Sequence, residues 1–280
     1  MQLLLATNKV PFTLVLGITT QQPESMVIHI NDYKKQHTVY IHIEATVNGY
    51  REFNLNLPQS PTACLITILN KKNGNQPNNV DKSFEITKFK PENLEHCNNA
   101  LKGNDASFVK FAQWFSEQAG ILSASLSLSK PSIYRSEDAK FQIDYYNHII
   151  DNETNQVLNT PARIAHVSGI IEVAKKDFIN YTIPMRMIIL LHEYSHKYKN
   201  PSINKPIGYE TGADINALNI YLGLGYSPSE AIYVFLNVFK DADNEQNAKR
   251  MEIIYDFIDE YTQGKIKGSC KLKTNLANAR

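Results

Sequence analysis

Hydrophobic residues recur with two different periods along the chain. Over roughly the first ninety residues the period is two, as in strands; over about the last hundred it is 3.6, as in helices. Val39, Ile41 and Ile43 alternate with Tyr40, His42 and Glu44, and Phe53, Leu55 and Leu57 alternate with Glu52, Asn54 and Asn56. Asn48-Gly49 lies between the two runs and tolerates the positive φ angles of a type I′ turn, so the pattern predicts a hairpin over 38–57. His42 falls on its polar phase, where a solvated imidazole is expected and not a ligand. The opening MQLLLATNKVPFTLVLGITT has no basic leading segment and is interrupted by Lys9. It reads as the first strands of a domain, not as a secretory signal. KKNGNQPNNVDK (71–82) is polar and aperiodic, and reads as a loop.

The pattern changes near residue 100. Asp105 is placed to cap a helix in which Phe108, Phe111, Ala112 and Phe115 share a face, with Gly120 as its end. Strands are expected in FQIDYYNHII (141–150) and ARIAHVSGIIEVA (162–174). From Thr182 onward the pattern is helical: Thr182 or Tyr181 precedes Pro184, which suits a first turn. A second helix is expected over 209–222. Ser227-Pro228-Ser229-Glu230 reads as a capping box opening a third, through Phe239, and a fourth covers 245–263 and stops at Gly264. The expected class is α+β: a β-rich part over 1–98, then a domain over 99–280 whose C-terminal region is mostly helical.

Composition excludes several classes. Lysine and arginine number 29 against 28 acidic residues, a formal charge of +1, so nothing argues for nucleic acid or a membrane surface. No apolar run reaches the roughly 18 residues that a membrane span requires. Cys64, Cys97 and Cys270 are odd in number and widely spaced, which predicts neither a disulfide framework nor a structural zinc. The expected setting is cytoplasmic, or virion-associated if the chain is encoded by a phage.

The chemistry is concentrated in LLHEYSHKYKNPSINKPIGYETGADINALNIYLGLGYSP, residues 190–228. On a helix, positions i and i+4 differ by about 40° of rotation, so His192 and His196 present imidazoles on one side. Two neutral imidazoles at that spacing suit Zn2+. Glu193 lies about 100° round the helix, from where it can reach a metal-bound water without occupying a ligand position. Zinc lowers the pKa of such a water and polarises a carbonyl, while Glu193 takes and returns the proton. A buried active-site helix also needs an apolar approach, which Met187 to Leu191 provide. Glu210 and Asp214 are again i and i+4. Turn residues in KYKNPSINKPIGY can bring their helix beside the first, letting one carboxylate meet the metal while the other orients an imidazole.

His192-Glu193-Tyr194-Ser195-His196 followed by Glu210-Thr211-Gly212-Ala213-Asp214 resembles the HExxH…ExxAD pattern of the gluzincins, a branch of the zincin zinc metallopeptidases. The resemblance is carried mainly by 188–228. It implies a zincin-like domain in which His192, His196 and Glu210 ligate zinc, Glu193 is catalytic and Asp214 hydrogen-bonds a ligating histidine; Asp214 as the direct ligand is the alternative. It also implies an upstream edge strand on which a peptide substrate adds, expected at 167–173 with Ser168, Gly169, Ile170 and Ile171 at its centre. An ordinary inner strand is the other reading of that segment. His166 reads as structural. Tyr209, Tyr221 and Tyr226 are candidates to stabilise an oxyanion.

The leading expectation is a zinc-dependent peptidase acting on a peptide or protein. The alternative is a non-catalytic zincin fold serving as a structural or assembly protein of a phage particle or mobile element. In either case the β-rich N-terminal part is a candidate for docking a protein partner. An intact Glu193 favours the enzyme, because a purely structural site has no use for a general base.

Overall fold

The computed structural model describes residues 1–73, 82–94, 96, 101–127, 130–151, 153–198, 208–239, 244–266 and 269. Most of the expected loop 71–82, most of the connection between the HEYSH and ETGAD helices, Cys97 and Cys270 lie outside the described residues. Two compact units are formed, Met1–His96 with Gly225–Ser227, and Cys97–Leu224 with Pro228–Leu272. The architecture is α+β, with strands in the N-terminal part and helices in the C-terminal part.

The first unit is a five-stranded antiparallel sheet organised by one long strand, β2 (Phe12–Asp32). Along one side β2 pairs with β3 (Val39–Leu57) over nearly its whole length. Along the other it pairs first with β5 (Phe84–Asn93) and then with β4 (Ala63–Asn70), which β1 (Gln2–Ala6) extends. Leu14, Leu16 and Ile18 in the first half of β2, and Met26, Ile28 and Ile30 in the second, are fully buried. They form the core of this unit, and the alternation follows from the two-residue side-chain period.

The expected hairpin over 38–57 does not form. β3 runs straight through Asn48-Gly49, and the chain reverses earlier, before Val39, where Asp32 accepts from the backbone N–H groups of Lys34 and Lys35. Gly49 does adopt a positive φ of 72°, but the conformation serves an irregularity in the ladder. Thr20 pairs with Gly49 and Glu24 with Val47, so Gln21, Gln22 and Pro23 face Asn48 alone. Such a bulge accommodates Pro23, which has no N–H to offer a ladder. Glu24, 2% exposed, ties the bulge down by accepting from Gln22 Nε2 at 2.8 Å and from Asn70 Nδ2 at 2.9 Å. Tyr40, assigned to the polar phase by alternation, is buried, whereas His42 is exposed as expected.

In the second unit α1 (Gly103–Gln118) begins two residues before the expected cap. Asp105 therefore sits in its first turn, and its carboxylate accepts from the Tyr194 hydroxyl. The helix closes just short of Gly120. A four-stranded sheet follows, in the order β6 (Ser132–Arg135), β7 (Gln142–Tyr146), β9 (Ile171–Ala174), β8 (Ala162–Ile164). β7 and β9 are parallel and the other pairs antiparallel.

This order corrects the expected substrate edge at 167–173. Residues 166–168 form a turn, Gly169 has a φ of +77°, and Ile171 opens a strand with neighbours on both sides. Because β7 takes up one side of β9 and β8 the other, the edge on that side of the sheet is β8. Ser168, Gly169 and Ile170 belong to the β8–β9 connection.

A short helix, α2 (Lys175–Phe178), leads to α3 (Ile183–Lys197). Thr182 caps α3 through its side-chain oxygen, which accepts from Met185 N–H, and Pro184 sits in the first turn where no intrahelical N–H is needed. Met187, Ile188, Ile189, Leu190 and Leu191 are all fully buried. Arg186 is 2% exposed and donates to the carbonyls of Ser116, Ile179 and Tyr181, tying α1, the end of α2 and the turn before α3 to the start of this helix. Beyond it come α4 (Tyr209–Gly223), packed on α3, then α5 (Pro228–Asn237) and α6 (Asn244–Thr262). Gly264, at φ +73°, ends α6 with Gly264 N–H on Tyr261 O and Lys265 N–H on Glu260 O. Among the described residues no helix is long and apolar enough to cross a membrane.

Candidate metal centre

Helix α3 carries both histidines of HEYSH into the second unit's interior, where His192 is 2% exposed. Their Nε2 atoms stand 3.0 Å apart. From the first turn of α4 the Glu210 carboxylate approaches both, with Oε2 at 3.4 Å from His192 Nε2 and 3.6 Å from His196 Nε2. A tetrahedral ion with bonds of about 2.0–2.1 Å would hold its ligands roughly 3.3–3.4 Å apart. The three edges therefore bracket the spacing that such an ion needs. His192, His196 and Glu210 form a group able to hold a metal ion, and their donor set of two imidazoles and one carboxylate leaves a fourth position open.

Asp214 occupies the other end of His192. It is wholly buried, and its Oδ1 lies 2.8 Å from His192 Nδ1, a contact of hydrogen-bonding length with imperfect alignment. The two carboxylates of ETGAD thus separate: Glu210 turns toward the two Nε2 atoms and Asp214 toward the far nitrogen of one ring. This placement matches the arrangement that the resemblance implies, with Asp214 outside the His192, His196 and Glu210 group. Behind Asp214 stands Arg250 of α6, whose guanidinium binds both carboxylate oxygens.

The rings are also held on their faces. Phe239 stacks on His192 with centroids 4.0 Å apart, and Tyr209 stacks on His196 at 4.7 Å. The Tyr209 hydroxyl lies 2.9 Å from His166 Nδ1, so both residues stand at the exposed side of the centre. Sequence reasoning treated His166 as structural, and its hydrogen bond to a residue stacked on a candidate ligand gives it a place beside the site. Tyr221 lies eleven residues beyond Glu210 on the same helix, a rise of about 16 Å. Tyr226 belongs to the other unit, where its hydroxyl donates to Gln59.

The electrostatics follow from burial and these partners. Burial pushes the Glu193 carboxyl up to about 7; His192 and the Ile164 backbone N–H of β8 oppose that rise. Burial also opposes a charge on His192, but Asp214 and Glu210 outweigh it and hold this imidazole at about 9. His196, buried beside His192, is pushed down to about 4. Glu210 is held well below the usual carboxylate range by His192, against the effect of its own burial. A buried carboxyl whose environment sets His192 against Glu210 is a candidate for proton exchange.

Arg250 and Phe239 were missed by sequence reasoning. One signal was available for Arg250. It falls in register with the buried Ile254, Phe257 and Tyr261 on α6, and an arginine on an apolar stripe calls for a buried acidic partner. In comparisons with known proteins, no family model matches this chain, no curated protein matches its sequence, and no solved structure matches its fold.

Proposed function

We propose that the protein is a zinc-dependent peptidase that hydrolyses peptide bonds at the centre formed by His192, His196 and Glu210. The observation that carries this reading is the position of Glu193. It is a buried carboxyl, next in sequence to one candidate ligand and outside the three-residue donor set. A structural metal site needs no such group; a hydrolytic one does.

Zinc, held by the three residues, would supply Lewis-acid activation of water and of the scissile carbonyl. Glu193 would take the proton from the attacking water and return it to the departing amine. The Ile164 N–H keeps its carboxylate oriented during that exchange. Asp214 would fix the His192 ring, and Tyr209 with His166 would form the polar rim on which a substrate carbonyl could rest. The substrate class is a peptide or protein.

The deciding experiment compares wild type with Glu193→Gln on a denatured protein substrate, with and without a chelator. The variant should retain its metal and lose turnover by orders of magnitude. Turnover that survives Glu193→Gln excludes this mechanism. Metal binding with no turnover in wild type favours a non-catalytic assembly component.

A further inference from the structure

The second unit buries Arg250 at 6% exposure and spends its guanidinium on the surroundings of one ring. Nε and Nη2 donate to the two oxygens of Asp214, the second contact at 2.9 Å, while Nη1 donates to the Phe239 carbonyl at 2.9 Å. Asp214 faces His192 Nδ1, and Phe239 lies stacked on the His192 ring. One side chain from α6 thus grips both neighbours of His192: the carboxylate at its Nδ1 end and the backbone of the aromatic on its face. The same Nη2 lies 3.9 Å from Glu210 Oε2, a longer contact with the carboxylate across the centre.

We propose that Arg250 is a positioning residue for the metal centre, fixing the His192 ring through Asp214 and Phe239 together. The inference rests on the reading of His192, His196 and Glu210 as metal ligands. Its physical basis is geometry. A planar guanidinium can hold a carboxylate with two parallel donors and still present a third to a carbonyl, whereas a lysine ammonium is a point charge without that fork. Outer partners of metal-bound histidines that fix ring orientation typically change metal affinity by 10–100-fold.

The test uses the full chain and measures Zn2+ affinity by competition with a chromophoric chelator, together with the absorption spectrum of the Co2+ form. Proteins compared are wild type, Arg250→Lys, Arg250→Met, Asp214→Asn and the Arg250→Met/Asp214→Asn double variant. Both Arg250 variants should bind Zn2+ about 10–100-fold more weakly and shift the Co2+ bands. The double variant should lose less than the product of the two single losses, because part of the effect of Arg250 passes through Asp214. Circular dichroism of the metal-free proteins checks the fold, and Arg250→Lys carries the test if Arg250→Met does not fold.

Wild-type affinity and spectrum in Arg250→Lys and Arg250→Met would overturn the inference while leaving the metal site standing. So would losses that multiply in the double variant, or failure of both Arg250 variants to fold, either of which makes Arg250 a packing element. A wild-type protein that binds no Zn2+ better than His192→Ala removes the metal site itself, and the inference with it.

Discussion

Tyr194 donates its hydroxyl hydrogen to Asp105 Oδ1 at 2.5 Å, tying a residue inside the HEYSH word to the first turn of α1. Its ring also stacks on Phe108 at 4.2 Å, so this face of α3 is fixed by the core while the histidine face turns to Glu210 and Asp214. Tyr194→Phe keeps the stack and removes the hydrogen bond to the Asp105 carboxylate, which should cost about 1.5–3 kcal/mol. Denaturant unfolding is the measurement. Metal content should be unchanged, and a change there would mean that the two faces of α3 are coupled.

The metal reading makes separate demands on the two carboxylates. The purified chain should hold about one Zn2+, measured by elemental analysis after gel filtration. His192→Ala, His196→Ala and Glu210→Ala should each largely abolish retention. Asp214→Ala should weaken it by roughly 10–100-fold and leave a measurable site. Full occupancy in the double histidine variant would end this reading. Removal of the ion by a chelator should lower the melting temperature of wild type and leave that of His192→Ala unmoved.

The start of α3 and the i, i+4 pairs of the site were legible in the sequence because their signals are local. Thr182 and Pro184 mark the start of α3, Gly264 marks the end of α6, and HEYSH carries its own geometry. The turn at Asn48-Gly49 was misread for a physical reason. A positive φ at Gly49 suits a reversal and a bulge equally, and the choice was made by β2, whose length and pairing are not encoded near Gly49. Arg250 and Asp214 are 36 residues apart, and nothing near either one names the other. The strand at 167–173 failed similarly, since whether β9 is inner or outer depends on where β7 and β8 pair.

Arg186 offers a test of the second unit's core apart from the metal. Arg186→Met retains bulk but leaves the carbonyls of Ser116, Ile179 and Tyr181 without its donors. A loss of about 2–4 kcal/mol is expected in denaturant unfolding. A variant as stable as wild type would show that water replaces the guanidinium at little cost.

Glu24 gives the first unit a dependence on pH. Hydrogen bonds from Asn70 and Gln22, and Lys72 Nζ at 3.3 Å, hold its carboxyl below the ordinary value of 4.5. A depressed pKa contributes stability that is present above 4.5 and is lost as pH falls through the folded-state value. Glu24→Gln should therefore melt below wild type at pH 7, and the gap should narrow as pH falls below about 4.5. A gap that stays constant or widens on acidification would show that Glu24 acts by shape alone.

The bulge beside Glu24 also has a parity. Three residues of β2 stand opposite one of β3, an excess of two, so even-numbered side chains of β2 point inward both before and after it. An excess of one would send Met26, Ile28 and Ile30 to the opposite face. The segment 21–23 thus behaves like a reading frame: excision of a pair such as Gln21 and Gln22 conserves the inward phase of everything downstream, whereas excision of one residue inverts it. Length variation at this point of the strand is permitted in steps of two.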